Sequence, residues 1–122
     1  MSEITPRRVD KPWGWELVWA ETDVYAGKLL FVRAGESLSL QVHEVKEESW
    51  LVREGRAKLE VGKRGQLRER EIRPGDAFHL PPGTVHRLTA LEDTLVIEVS
   101  TPHLDDVVRL EDSYGREGTS AP

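Results

Sequence analysis

Four side chains with metal-binding chemistry are spaced in a pattern that brings them together: Gln41, His43, Glu48 and His86. Residues two apart on a strand project from the same face, so Gln41 and His43 can point together into a barrel. A tight hairpin at residues 44–46 would then bring Glu48 beside them. Two imidazoles, one carboxylate and one amide oxygen suit Zn²⁺, Mn²⁺, Fe²⁺, Co²⁺ or Ni²⁺. The sequence therefore predicts one divalent ion, with positions left open for water or substrate.

Each of these residues has a structural alternative when it is taken alone. A single histidine is more often a hydrogen-bonded structural residue, and Gln41 could be a core amide bonded to backbone. Glu48 could lie on the surface beside Glu44 and Glu47. His86 follows the rigid turn at residues 81–83, which fixes its direction at the start of a strand. The combined spacing, rather than any one residue, favours a metal site.

The elements that must position these residues are short strands separated by turn residues every 8–12 positions. This pattern is typical of an all-β sandwich or barrel. No segment keeps a helical period, and residues 105–111 form either a short terminal helix or an edge strand. The predicted strands cover residues 15–19, 26–33, 37–43, 50–53, 57–62, 67–72, 77–80, 86–90 and 94–100.

The length of the chain bounds its domain organisation. Its 122 residues fit one compact domain, which we place at residues 10–116. The polar, unpatterned ends predict flexible segments at residues 1–9 and 117–122.

Composition excludes several classes of protein. The net charge is −5 and basic residues alternate with acids, so nucleic acid is not an expected partner. No apolar run approaches the ~18 residues of a membrane span, and no signal peptide is visible. The chain contains no cysteine, which excludes disulfides and thiolate ligands and suits a reducing cytoplasm. We therefore expect a cytoplasmic protein without membrane or nucleic-acid partners.

The full spacing resembles two known motifs. It reads Gly35-x5-Gln41-x-His43-x4-Glu48-x6-Gly55, followed by Gly75-x5-Pro81-x-Gly83-x2-His86. This resembles the cupin motifs, in which a His-x-His pair, a glutamate and a later histidine hold a metal. Gln41 stands at the first histidine and Ala90 at the usual final asparagine. The resemblance implies a single-domain cupin, a double-stranded β-helix or jelly-roll barrel.

The match narrows to one cupin branch. The runs LSLQVH at 38–43, VHRL at 85–88, KPWG at 11–14 and DVVRLEDSYGR at 106–116, with Glu48 and Trp50, resemble the mannose-6-phosphate isomerase domain that ends bifunctional mannose-1-phosphate guanylyltransferases. That branch uses Gln-x-His, so Gln41 is expected there. Glu44, Val45 and Ser49 depart from its histidine-rich pattern, while Lys46 keeps a cation that the branch also carries.

The resemblance implies a metal-dependent sugar-phosphate isomerase acting on mannose 6-phosphate and fructose 6-phosphate, with zinc as the first expectation. The phosphate of such a substrate requires a cation in the site. Arg109 is the first candidate, and Lys46, Arg87 and Arg116 follow. Arg109 could instead be a surface residue paired with Asp105 or Asp112. Non-catalytic sugar or metabolite binding, or another metal-dependent activity such as that of a dioxygenase, remains an alternative because fold does not fix function.

Glu98 is the candidate base that moves the carbon-bound proton. On the strand at 94–100, the alternation places Glu98 with Thr94, Val96 and Ser100, either towards the barrel or towards solvent. Other side chains have less defined roles: His79 lines the pocket or packs, His103 is exposed, Trp50 walls the pocket or belongs to the core, and Trp13 and Trp15 close the barrel or a dimer interface. A homodimer through edge strands is the expected assembly.

Overall fold

The computed structural model describes residues 1–119, and within that range every regular element is a β-strand. The all-β expectation is confirmed. The strands are β1 (Arg7–Lys11), β2 (Gly14–Glu21), β3 (Ala26–Val32), β4 (Leu40–Val42), β5 (Glu48–Glu54), β6 (Ala57–Lys63), β7 (Gln66–Ile72), β8 (Ala77–Leu80), β9 (Val85–Ala90), β10 (Thr94–Ser100), β11 (Val108–Glu111) and β12 (Gly118–Thr119).

The strands form two six-stranded antiparallel sheets whose inner faces share one core. Sheet A has the order β1-β2-β3-β10-β5-β8, and sheet B has the order β12-β11-β4-β9-β6-β7. Core residues come from both sheets, for example Val96 of β10 and Leu88 of β9. The turn between β5 and β6 depends on Gly55, whose φ is 86° and where a Cβ would lie 2.1 Å from the Asp93 carbonyl oxygen.

The inward residues divide the interior into two halves. β10 carries Glu98 towards one end and Val96 towards the other, and both are buried. β5, which is antiparallel to β10, is divided in the same way, with Glu48 at the end of Glu98 and Val52 opposite Val96, and on β9 His86 precedes Leu88. We call these the polar half and the apolar half. On these three strands, the inward ionisable side chains therefore lie at one end of the barrel and the apolar ones at the other.

Several sequence-based expectations need correction. Residues 44–46 do not close a hairpin, because β4 belongs to sheet B and β5 to sheet A, so the connection passes from one sheet to the other. Of the strand predicted at 37–43 only β4 is continuous, and Ser37 forms an isolated bridge with Thr89. Within residues 105–111 the chain forms a strand, β11, rather than a helix, and this strand is not at the edge because it pairs with β4 on one side and β12 on the other.

The chain ends also differ from expectation. Residues 7–9 lie in β1, which pairs with β2 along its whole length, so a flexible segment at 1–9 is wrong for those three residues. The prediction missed β1 because RRVDK has no apolar alternation. The tail predicted at 117–122 contains Gly118 and Thr119 of β12, and its last three residues lie outside the described range.

Candidate metal centre

Three buried side chains converge in the polar half. His43 directly follows β4, Glu48 begins β5, and His86 lies in β9. One ligand atom from each lies within 4.8 Å of the other two. His43 Nε2 is 3.0 Å from Glu48 Oε2, and His86 Nε2 is 3.8 Å from Glu48 Oε1. These separations bracket the edge of about 3.3 Å that ligands at 2.0–2.1 Å make in a tetrahedral zinc site.

Backbone carbonyls fix the orientation of both imidazoles. His43 Nδ1 donates to the Asp106 carbonyl oxygen at 2.5 Å, and His86 Nδ1 donates to the Thr84 carbonyl oxygen at 3.0 Å. A carbonyl can only accept, so each ring carries its proton on Nδ1 when neutral. The Nε2 lone pair of each histidine is then directed towards Glu48, as metal-ligating histidines require.

The buried polar atoms of these residues also fit a metal ion. His86 Nε2 and Glu48 Oε2 are buried and have no hydrogen-bond partner of acceptable geometry. Most buried polar atoms in native proteins are hydrogen-bonded, because an unsatisfied one destabilises the fold. A divalent ion bound between these atoms would satisfy both of them. His43, Glu48 and His86 therefore form a candidate metal centre.

Gln41 lies next to this cluster. It is directly opposite His86 in the register of β4 and β9, and its side chain lines the same cavity as those of His43 and Glu48. Its Oε1 accepts a hydrogen bond from Ser39 at 3.4 Å. Gln41 as a fourth ligand stays a prediction supported by this position.

Lys46 and Glu98 form a second charged group, which contacts Glu48 of the His43–Glu48–His86 cluster. Lys46 Nζ lies 3.3 Å from both Glu48 Oε2 and Glu98 Oε2. The other oxygen of Glu98 accepts a hydrogen bond from Trp50 Nε1 at 3.1 Å. Trp50 also stands edge-on to His86, with 5.5 Å between ring centroids. Glu98 therefore points into the barrel, and Trp50 both walls the cavity and belongs to the core.

The electrostatics favour an ionised cluster around neutral His86. Burial alone would raise the pKa of Glu48, but His43, Lys46 and His86 lower it below the usual range. Burial disfavours the Lys46 ammonium, yet Glu98 and Glu48 raise its pKa above the usual value. Burial lowers the pKa of His86 despite the attraction of Glu48. A carboxylate and a neutral imidazole are the protonation states in which these groups bind metals.

Cationic side chains line the cavity beyond this cluster. Arg109 on β11 is 7% exposed, so it is not the surface arginine that was the alternative. Burial and the nearby Arg116 lower the pKa of Arg109. Arg116 is held by both oxygens of Asp112, and burial lowers the pKa of Lys11. Lys11, Arg109 and Arg116 thus share one wall of the cavity, where an anionic group can bind.

Three other candidates lie outside the cavity. Arg87 points to the outer side of sheet B and binds Glu60 and Glu111, so it is not a phosphate ligand. His79 is exposed and pairs with Glu47 at 2.6 Å, which excludes a pocket-lining role. His103 is exposed, as expected, and bonds to Thr101. Strand alternation could have excluded Arg87 and His79, because their neighbours His86 and Leu80 face inward.

The two tryptophans near the N-terminus differ in position. Trp13 is buried, belongs to the core and lines the cavity. Trp15 projects from the outer side of sheet A, where it stacks on Phe31 with 5.3 Å between ring centroids.

Two features of the site had no sequence signal. The Asp106 carboxylate accepts backbone N–H groups of Glu44, Val45 and Lys46, while its carbonyl accepts from His43. Asp106 therefore fixes both a metal-ligand candidate and the loop that carries Lys46. The second feature is a buried ion pair, Lys28 with Glu16 at 3.3 Å, which also lines the cavity.

A family model described as mannose-6-phosphate isomerase C-terminal matches residues 2–112. The chain belongs to this family. A mannose-1-phosphate guanylyltransferase of Escherichia coli K12 is 35% identical over 115 residues, which are 90% of this chain and 23% of that protein. The chain spans about a quarter of the length of such curated relatives.

Solved structures show that this family member has the cupin fold. KdgF from Halomonas sp. superposes with a TM-score of 0.72 and 27% identity, over 86% of this chain and 98% of that one. A cupin superfamily protein of Desulfitobacterium hafniense gives 0.62 with 16% identity, over 70% and 74% of the two chains, and shows the fold alone. The cupin expectation is confirmed. Among the described residues, no helix has the length and hydropathy to cross a bilayer.

Proposed function

We propose that this domain interconverts mannose 6-phosphate and fructose 6-phosphate. The observation that carries the proposal is the buried His43–Glu48–His86 cluster. Its His43 and Glu48 line one cavity together with Glu98, Lys11, Arg109 and Arg116. Gln41, His43, Glu48 and His86 would hold a divalent ion, with Zn²⁺ expected first and Mn²⁺, Fe²⁺, Co²⁺ or Ni²⁺ as alternatives. When bound, the ion supplies Lewis-acid polarisation of the sugar oxygens.

Glu98 is the proposed base. It would take the proton from C2 of the aldose and return it to C1 of the resulting enediol, which yields the ketose. Lys46 remains an ammonium group because Glu98 and Glu48 raise its pKa, so it is not the base. Its role is to balance the two carboxylates and to orient Glu98. Arg109, with Lys11 and Arg116, would bind the phosphate, whose charge matches this wall of the cavity.

The experiment is a coupled assay of fructose 6-phosphate formation after loading with each metal, run without oxygen. In D₂O, the product should gain deuterium at C1, which reports the enediol. Glu98→Gln should reduce kcat by about 100-fold or more, the usual contribution of a general base. Glu69→Gln, an exposed change on sheet B, should leave kcat unchanged. Turnover by the Glu98 variant at the wild-type rate would remove Glu98 from the mechanism.

Non-catalytic binding of a sugar phosphate is the second candidate, and one observation favours it. The Lys46 ammonium nitrogen is 3.3 Å from Glu48 Oε2, which is a proposed ligand atom, so it competes with a metal for that oxygen. The histidines that the family carries nearby are replaced by Glu44, Val45 and Ser49. Thermal stabilisation by mannose 6-phosphate, with no turnover under any metal, would establish binding without catalysis. A cytoplasmic location stays a prediction.

A further inference from the structure

A buried ion pair in the wall of the cavity takes no part in the proposed isomerisation. Glu16 on β2 and Lys28 on β3 point into the barrel, and Lys28 Nζ is 3.3 Å from Glu16 Oε2. Lys28 is 4% exposed and Glu16 8%, and both side chains line the same cavity as His43 and Glu48. We call these two residues the Glu16–Lys28 pair.

The fold does not require a charged pair at this position. Taking two charges out of water destabilises the folded state, and buried ion pairs can often be replaced by apolar residues without loss of stability. The other inward side chains of β2 and β3 are apolar and buried, namely Val18, Ala20, Ala26, Leu30 and Val32. An apolar pair would continue this pattern, so the presence of the Glu16–Lys28 pair points to a ligand in the cavity.

The Lys28 ammonium keeps donors that no described residue uses. Within residues 1–119, Glu16 is its single hydrogen-bond partner, whereas an ammonium group has three N–H donors. Two other cations of the cavity are held more fully, since Lys46 lies between two carboxylates and Arg116 is bound by both oxygens of Asp112. Lys28 can therefore donate to a bound molecule without leaving Glu16.

The register of sheet A places the pair beside the proposed base. Lys28 is directly opposite Glu98 in the pairing of β3 with β10, and Glu98 is opposite Trp50 on β5. The Cβ atoms of directly opposite residues are about 5 Å apart. From there the two side chains bond in opposite directions across the sheet, Glu98 to Trp50 and Lys28 to Glu16. A substrate carbon at Glu98 would thus lie one strand away from the pair.

The pair is also close to the cationic wall of Lys11, Arg109 and Arg116. Burial lowers the pKa of Lys11, Glu16 opposes this effect, and Lys28 adds to it. The strand order β1-β2-β3-β10 places Lys11, Glu16, Lys28 and Glu98 in that sequence across sheet A. The Glu16–Lys28 pair therefore lies between the proposed base and a cation of the proposed phosphate site.

We propose that the Glu16–Lys28 pair binds the hydroxyl groups on C3 and C4 of the sugar. This rests on the proposed function, in which C1 and C2 lie at Glu98 and the phosphate on C6 lies at the cationic wall. The carbons between them carry hydroxyl groups, which can donate to the Glu16 carboxylate and accept from the Lys28 ammonium. Hydrogen bonds to charged groups are the stronger ones, so the pair selects a hexose phosphate over a phosphate without the sugar.

The test compares the affinities of mannose 6-phosphate and inorganic phosphate, measured by calorimetric titration of the full chain supplied with Zn²⁺. Glu16→Leu/Lys28→Met removes the hydrogen bonds but leaves the net charge of the cavity unchanged. The ratio of mannose 6-phosphate affinity to phosphate affinity should fall by about 30-fold or more. Inorganic phosphate should bind within about threefold of the wild type, because two opposite charges are lost together.

Two further variants complete the design. Glu16→Gln keeps the shape of the side chain and serves if the double variant does not fold, and it should lower the ratio by about tenfold. Phosphate binding itself should not weaken in Glu16→Gln, because a negative charge near Lys11 is lost. Arg7→Gln/Glu21→Gln removes an exposed ion pair of 3.6 Å and should leave the ratio unchanged.

Two results would overturn the proposal. One is a wild-type chain that binds mannose 6-phosphate no more tightly than inorganic phosphate, and the other is a folded double variant, or Glu16→Gln, with the wild-type ratio. An isomerase assay on the same samples separates this proposal from the proposed function. A lowered ratio without turnover by the wild type would keep the hydroxyl site and remove the isomerase. An unchanged ratio with wild-type turnover would keep the isomerase and remove the hydroxyl site.

Discussion

The two halves of the barrel interior are both buried, but their side chains differ in the contacts that they make. In the apolar half, Val52, Leu88 and Val96 belong to one cluster of buried hydrophobic residues, and their burial stabilises the fold at about 25 cal/mol per Å². In the polar half, Glu48 and His86 keep buried atoms without hydrogen-bond partners. The difference shows that one half serves stability, whereas the other keeps an incomplete polar cluster that a metal ion can complete.

The largest expected effect comes from Lys46→Met, which removes the cation between two buried carboxylates. The metal-free protein should lose about 3–5 kcal/mol of unfolding free energy, because Glu48 and Glu98 are left buried without their partner. A bound divalent ion would replace part of that charge, so the loss should be smaller when metal is present. Urea denaturation with chelator and with Zn²⁺ measures both values.

The matched control is Lys58→Met on the outer side of sheet B. The Lys58 side chain is 39% exposed and Glu60 keeps its pairing with Arg87, so the change should be under about 1 kcal/mol with or without metal. An equal loss for Lys46→Met under both conditions would contradict a metal site that includes Glu48.

Leu59→Ala probes the apolar half. Leu59 is 1% exposed, and its truncation should lower the unfolding free energy by about 2–5 kcal/mol through lost burial and a cavity. Metal content per folded chain should not change, since Leu59 belongs to the part of the core that holds no ligand. If metal is lost together with stability, the two halves are not separable in the way the structure indicates.

Some features of the two halves could be predicted from the sequence, and others could not. Spacing and strand period were sufficient to predict nine strands and the convergence of His43, Glu48 and His86. Those signals are local and periodic. The crossing of residues 44–46 between sheets was not predictable, because a hairpin and a crossover leave the same short polar segment. The predicted proximity of Glu48 to the two histidines was correct, although the hairpin from which it was inferred is absent.

Contacts made by backbone atoms could not be predicted from the sequence either. Nothing in the residue type of Asp106 distinguishes its carbonyl, which accepts from His43, from any other carbonyl. Lys46 was predicted as a phosphate cation, yet it is bound by two carboxylates within the cluster. Burial of a loop residue such as Lys46 and contacts between residues distant in the chain decide such roles, and neither has a sequence pattern.

The smallest predicted effect concerns pH and Asp106. Burial opposes ionisation of this carboxyl, but three backbone N–H groups lower its pKa. A depressed pKa contributes stability that is present above the unfolded value of about 3.9 and is lost as the pH falls through the folded value. Asp106→Asn should cost about 1–2 kcal/mol at neutral pH and less in acid.

Denaturation of wild type and Asp106→Asn at neutral and acidic pH checks this prediction. The two curves should converge as the pH falls from the unfolded value of about 3.9 through the lowered pKa of the folded carboxyl, where the wild-type side chain becomes protonated. A difference that stays constant with pH would show that the Asp106 charge does not hold the 44–46 loop. Asp105→Asn, at the neighbouring residue, serves as the control.

Metal analysis of the purified chain tests the central claim most directly, with His86→Ala and Gln41→Ala as variants and the exposed His79→Ala as control. We expect about one divalent ion per chain in the wild type and in His79→Ala. His86→Ala should retain almost none, and Gln41→Ala should hold it more weakly. Equal metal in the wild type, His86→Ala and Gln41→Ala would contradict the site.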